Sequence, residues 1–210
     1  MTDMKRLLIS SPKGGCGKTM ISRNLAVAAA LENVKVATLD LDPQASLTRW
    51  WNRRAEERPP IVHYQGTMND AQDAMAEIVG HELLIIDTPT AVEEYPHGMK
   101  ALILGADLVL VPTKPTMDDT DSTMEWMTML RSYDRPAAFV LNMAKLRARS
   151  LPETKRRLNA VGRICPIEIA EREDMHRIGA EGLGILEVSR HPGGDEIGGV
   201  WQFVKNEMGA

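Results

Sequence analysis

Short apolar runs alternate with longer amphipathic ones along this chain. Leu7-Leu8-Ile9, Leu83-Leu84-Ile85-Ile86 and the stretches 34–39, 61–64, 108–111 and 137–141 have the length of strands, most of them apolar on both faces. Between them, 18–32, 69–79, 99–104, 120–131 and 152–161 carry apolar residues at helical spacing. A terminal helix is expected over 196–208, with Gly198 and Gly199 weakening its start. Strands alternating with helices predict an α/β fold: a mostly parallel twisted sheet with helices on both faces and right-handed crossovers. No repeat, low-complexity tract or linker interrupts the pattern, so residues 1–210 read as one domain. The most polar stretch, 53–60, reads as a helix end followed by a loop.

Composition narrows the class. Hydrophobic residues make up 43% and charged residues 26%, the balance of a chain that buries a core. Lys5 and Arg6 are followed by only four residues before Ser11-Pro12-Lys13, which does not suit a signal peptide. The longest apolar runs, such as 27–31 and 83–86, fall far short of the ~20 residues of a membrane span. The expectation is a protein neither secreted nor transmembrane. Cys16 and Cys165 form no C-x-x-C pair, which favours a reducing cytosol over a disulfide framework. The five histidines are scattered without metal or triad spacing. A net charge of −4 argues against a globally basic surface but leaves local patches open.

The strongest chemical signal is Lys13-Gly14-Gly15-Cys16-Gly17-Lys18-Thr19, between the first strand and the first helix. Glycines let successive backbone N–H groups turn inward on phosphate oxygens, and the helix N-terminus adds partial positive charge. Lys18 then reaches the β- and γ-phosphates, and the Thr19 hydroxyl is a Mg²⁺ ligand. The general pattern G-x-x-x-x-G-K-[ST] wants Gly at position 12, where this chain has Pro12, and a second lysine, Lys13, stands at the loop entrance. That variant resembles the deviant Walker A motif of ParA/MinD partition ATPases, a P-loop NTPase family. The resemblance implies ATP and Mg²⁺ as ligands and places Lys13, Gly14, Gly15, Cys16, Gly17, Lys18, Thr19 and Met20 against the nucleotide. It also implies that Lys13 crosses to the partner's phosphates in an ATP-bound homodimer, doing the work of an arginine finger.

Acids at the ends of neighbouring strands complete such a site. Asp87 closes the apolar run 83–86 in the manner of a Walker B strand, and would hold the Mg²⁺ shell through water; capping of a following helix is the plainer alternative. Asp40-Leu41-Asp42-Pro43-Gln44 follows the second strand. It resembles the family's D-x-D-P-Q switch, in which Asp42 would orient the attacking water and Asp40 would lie near the metal; a polar turn is the alternative. The continuation Ala45-Ser46-Leu47-Thr48-Arg49-Trp50 is similar to small ParF-like members. Val109-Leu110-Val111-Pro112-Thr113-Lys114-Pro115 resembles the family's strand and Pro-rich loop beside the nucleotide, and Asn142 stands where the family has an adenine-contacting Asn, with an Asn ending a strand in a turn as the alternative. The resemblance is close to about residue 115 and loose after about residue 165. Arg172 to Gly184 is similar to a late family segment for which no role follows.

Charge is unevenly spread. Residues 131–163 hold nine bases against Asp134 and Glu153, while 68–130 hold twelve acids against Lys100 and Lys114. This predicts a basic face on an acidic protein, or simply a solvated helix face. Since family members hold DNA without sequence preference when dimerised, Arg147, Arg149, Lys155, Arg156 and Arg157 are the candidate phosphate contacts. Of Trp50 and Trp51, adjacent on a helix, at most one is central to an apolar face. Met124, Met127 and Met129 with Trp126 and Leu130 read as a Met-rich core face.

The function expected is an ATP-driven switch that dimerises with ATP, binds nucleoid DNA and positions a plasmid, chromosome locus or protein cargo. A ParB-like or cargo-adaptor partner would stimulate slow hydrolysis, and the location would be cytoplasmic and nucleoid-associated. A MinD-like membrane regulator would need a basic, strongly apolar terminal helix, and Trp201-Gln202-Phe203-Val204-Lys205-Asn206-Glu207-Met208 is short and carries an acid. A metabolic P-loop kinase or synthetase would need a substrate pocket that the sequence does not identify. An iron-protein-type reductase needs cluster cysteines, and Cys16 sits inside the phosphate loop.

Overall fold

The computed structural model describes residues 4–209. Seven strands form one sheet: β1 (Lys5–Ile9), β2 (Val36–Asp40), β3 (Val62–Gln65), β4 (Leu83–Asp87), β5 (Leu108–Thr113), β6 (Ala137–Leu141) and β7 (Arg163–Ile164). Their order is β3-β2-β4-β1-β5-β6-β7, and every pairing is parallel. The helices are α1 (Lys18–Leu31), α2 (Ser46–Trp51), α3 (Ala71–Glu77), α4 (Pro96–Gly105), α5 (Met117–Arg131), α6 (Leu151–Val161), α7 (Asp174–Ala180) and α8 (Pro192–Met208).

Pleating explains the two cores. Leu7 and Ile9 point into one cluster with Ile21, Leu25, Trp50 and Trp201, so α1, α2 and α8 cover that face. Leu8 points the other way, into a cluster with Met75, Leu102, Met127 and Leu158, so α3 to α6 cover the second face. Both faces being covered, the central parts of β1, β2, β4 and β5 are largely apolar, and the short apolar runs in the sequence follow from that. Pro112 sits within β5 without cost to the ladder. It lies beyond the last β1 partner, Leu110, and pairs only with Val140 of β6.

Several boundaries moved for identifiable reasons. The terminal helix starts at Pro192, with His191 Nδ1 accepting from the Gly193 backbone N–H, so Gly198 and Gly199 lie in its interior. A Cβ at Gly199 would press on Ile167. The stretch 53–60 follows the short α2 as turns rather than continuing a helix. Trp50 is buried, and Trp51 lies at the surface stacked on His63 with centroids 5.4 Å apart. In α5, Met127 and Leu130 are buried and Met124, Trp126 and Met129 pack against the same cluster, as the core reading of that helix required.

Candidate functional site

In a parallel sheet all strands point the same way, so the loops after β1, β2, β4, β5 and β6 share one edge. The loop 10–17 joins β1 to α1 at the middle of that edge. Gly15 and Gly17 have φ of 66° and 91°, the left-handed region that the inward turn needs. Gly17 is required twice over, because a Cβ there would overlap the Asn142 amide nitrogen. That nitrogen donates to the Cys16 carbonyl at 2.8 Å, while the Asn142 backbone N–H donates to Thr113 O at 2.9 Å. Cys16, buried, donates from Sγ to Lys13 O at 3.2 Å. The loop is therefore stapled from beneath. Gly17 offers no side-chain cap to α1, and the first turn of α1 carries no acid, so its leading N–H groups are available to an anion.

Lysines surround this loop. Lys18 Nζ donates to Ser11 O, Lys13 O and Thr90 Oγ1, each at 3.3 Å. Lys13 stands half-buried at the entrance. Lys114, from the turn after β5, brings Nζ to 3.5 Å from where a Gly15 Cβ would lie. Among the described residues, no carboxylate forms an ion pair with Lys13, Lys18 or Lys114. Three cations without acidic partners around one glycine turn suit a polyanion.

The acids separate into different tasks. Asp87, wholly buried at the end of β4, accepts from Thr19 Oγ1 at 2.6 Å and Ser22 Oγ at 3.0 Å. Burial pushes its carboxyl up to about 7, with the charge of Asp40 adding to the effect against those hydrogen bonds and Lys18. Thr19 and Asp87 offer the hard oxygens that suit Mg²⁺. Among the described residues no group of three or more His, Cys, Asp or Glu side chains could hold a metal ion, so further ligands would come from phosphate and water.

Asp40 sits beside Asp87 in the ladder but is not brought to Thr19. Its Oδ2 accepts from Thr48 N and Thr48 Oγ1, both at 2.8 Å, and its Oδ1 accepts from Asp42 N at 3.1 Å. In this arrangement Asp40 holds the turn that leads into α2. Asp42 is half-buried at the head of that turn, with Oδ1 accepting from Gln44 N at 2.8 Å.

Two expectations are redrawn. Asn142 is wholly buried behind the loop, so a base edge reaches it only if it releases Cys16. Its Oδ1 is buried without a partner. The basic stretch does not form one face. Arg147 and Arg149 are exposed after β6, on the same sheet edge as the phosphate loop, whereas Arg131, Arg135 and Arg163 lie before β6 and at the start of β7, at the opposite edge. Within α6, Lys155 pairs with Glu168, Arg156 with Glu153 and Arg157 with Asp121, which offsets their charge. Met20 is buried in the first turn of α1, near Gly17.

Sequence reading did not single out Thr90, Ser22 or Thr48. Ser22 was within reach, since it lies one helical turn beyond Thr19 and so on the same face. Thr90 and Thr48 act through turns whose path no periodicity encodes. The segment 172–184 packs against α1 and α2: Arg23 donates to Met175 O at 2.8 Å, and Trp50 Nε1 to Leu183 O at 3.1 Å.

Residues 7–185 match the CobQ/CobB/MinD/ParA nucleotide binding domain. The chain is 24% identical over 192 residues to maintenance of carboxysome distribution protein A of Halothiobacillus neapolitanus, covering 87% of each. It is similar in structure to a plasmid partition protein of Borrelia burgdorferi bound to AMPPNP, with TM-score 0.79, 18% identity and coverage of 97% of this chain and 100% of that one. The MinD cell division protein of Aquifex aeolicus superposes with TM-score 0.81 at 18% identity, over 96% and 97% of the two chains. A glycine turn edged with lysines, a buried acid bonded to its threonine, and a family match across most of the length agree: the chain belongs to the CobQ/CobB/MinD/ParA nucleotide-binding family.

Proposed function

We propose that this protein is an ATP-driven positioning switch, acting as one domain over residues 1–210. ATP binds at the loop 13–19 and builds a homodimer, the dimer holds DNA without sequence preference, and a partner protein stimulates slow hydrolysis that releases it. The observation that carries this reading is the phosphate loop itself: an uncapped α1 N-terminus and lysines without acidic partners, tied through Thr19 to a buried acid.

In this reading the loop amides and α1 bind the phosphates, and Lys18 turns from the carbonyls it now contacts toward the β- and γ-oxygens. Thr19 and Asp87 would hold Mg²⁺, which supplies charge neutralisation when bound. Asp40 fixes the turn that carries Asp42, and Asp42 orients the attacking water. Lys13 reaches across the dimer to the partner's nucleotide. Arg147 and Arg149 are the foremost DNA contacts, since they are exposed on the nucleotide edge; Lys155, Arg156 and Arg157 join them where DNA phosphates displace their acidic neighbours. The similarity to a carboxysome-distribution protein favours a protein assembly as cargo alongside plasmid or chromosome.

Against a membrane-tethered role, the apolar face of α8 is already used: Ile197, Val200, Trp201, Val204 and Met208 are buried in the core. No helix among the described residues is long and apolar enough to cross a membrane.

The test is a DNA-binding titration with ATP, ADP and no nucleotide, repeated at several salt concentrations. Binding confined to ATP and weakening with salt supports the switch. Binding that ignores nucleotide refutes it.

A further inference from the structure

We infer that Lys114 is a third phosphate-contacting lysine of this site, which grips the triphosphate from the flank opposite the metal-holding acids. The inference rests on the nucleotide-binding reading above. Strand order gives the phosphate loop two neighbours: β4 on one side and β5 on the other. The β4 side supplies Asp87 and Thr90, and β2 beyond it supplies Asp40 and Asp42. That flank is acidic and suits the metal. On the β5 flank, the charge set against the loop is the Lys114 ammonium, 3.5 Å from the Cβ position of Gly15.

The position of Lys114 is built rather than incidental. It lies in a three-residue connection between Thr113, the last residue of β5, and Met117, the first of α5. Thr113 Oγ1 donates to the Lys114 carbonyl at 3.3 Å and accepts from Thr123 Oγ1 of α5 at 3.0 Å, both threonines being buried. Pro115 fixes its own φ and restricts the preceding Lys114 to extended backbone, and Thr116 caps α5 by accepting from Asp119 N. The backbone of Lys114 is thus fixed while its side chain stays half-exposed over Gly15. Among the described residues it has no carboxylate partner, although Asp118 and Asp119 follow closely in sequence. A lysine held beside an anion-binding turn and left without a counter-ion is placed for phosphate oxygens that the metal does not cover.

With its ammonium held over the exposed Gly15, Lys114 should favour the more highly charged triphosphate over the diphosphate. Calorimetric titration with a non-hydrolysable ATP analogue and with ADP, both with Mg²⁺, tests this on wild type, Lys114→Gln, Lys114→Arg and Lys18→Ala. Lys114→Gln should weaken the triphosphate about 10-fold, the size of one charge-assisted hydrogen bond, and ADP about 3-fold or less. Lys114→Arg should recover most of the loss, and the melting temperature without nucleotide should not move. Equal affinities in wild type and Lys114→Gln, with Lys18→Ala still abolishing binding, overturn the role of Lys114 alone. A parallel loss for both nucleotides that Arg does not rescue overturns it too. A folded wild type that binds neither nucleotide removes this inference together with the reading beneath it.

Discussion

Replacing Gly17 by alanine should destabilise the protein through Asn142, and the coupling between the two can be measured. At φ 91° an alanine adopts a backbone that L-residues disfavour, at about 1–2 kcal/mol. Its Cβ would also overlap the Asn142 amide nitrogen and come within 3.4 Å of Cγ, so the side chain must swing away and give up its bond to Cys16 O. That leaves a buried carbonyl unpaired, at about 1–3 kcal/mol. Together Gly17→Ala should cost about 2–5 kcal/mol, which for a chain of this length lowers the melting temperature by about 6–15 °C.

Asn142→Ala loses the same bond but also removes a buried Oδ1 that has no partner, so it should cost about 1–2 kcal/mol. In the double variant the clash has nothing to strike and the bond is lost only once. The double should then lie about 1–3 kcal/mol closer to wild type than the sum of the singles. Urea denaturation of the four ligand-free proteins measures all terms. Additive effects within about 0.5 kcal/mol would show that Gly17 and Asn142 do not compete for space, and the stapled loop would have to be given up.

Three further outcomes follow from other parts of the molecule. Arg54 and Glu187, with side chains 6% and 1% exposed, form a two-pronged pair at 2.9 and 3.0 Å, so Arg54→Ala should lower stability by about 3–5 kcal/mol in denaturant titrations, and a loss under about 1 kcal/mol would contradict their packing role. Burial holds the His63 imidazole below its ordinary 6.5, with Asp40 opposing. As pH falls through that value the unfolded chain takes up a proton that the folded chain resists, so stability should drop between pH 7.5 and 5.5 by more in wild type than in His63→Gln; equal drops would contradict the assignment. Asp42→Ala should bind ATP yet turn it over at least about 100-fold more slowly and persist as a dimer in sedimentation, whereas wild-type turnover would remove Asp42 from the hydrolytic step.

The core of the fold could be read from the sequence because a parallel sheet covered on both sides needs unbroken apolar strands. Leu83-Leu84-Ile85-Ile86 has no other economical use. The phosphate loop was legible for a similar reason: its backbone path fixes glycine positions, and its chemistry fixes Lys18 and Thr19. Strand β7, only two residues long, carries no periodic signal. Helix α7 was hidden because its place depends on contacts far away in sequence, as when Gly179 makes room for the Arg23 guanidinium. Charge counting also misled, since it sums along the chain while pairing acts across it. Lys155 and Arg157 find acids 13 and 36 residues away. The sequence marks Asp40 and Asn142 as polar strand ends, but only the structure shows Asp40 bonded to Thr48 and the Asn142 amide nitrogen bonded to Cys16 O.

In an ATP-driven switch built on the loop 13–19, the loop amides take up the phosphates of ATP. The ¹H–¹⁵N spectrum of the protein with and without ATP and Mg²⁺ addresses it most directly. The backbone resonances of Gly14, Gly15, Cys16, Gly17, Lys18 and Thr19 should move to new positions on addition of ATP and Mg²⁺, and should stay in place when the same ligands are added to Lys18→Ala. If those six resonances stay in place in the wild type at saturating ATP, the loop does not hold the phosphates and the account fails.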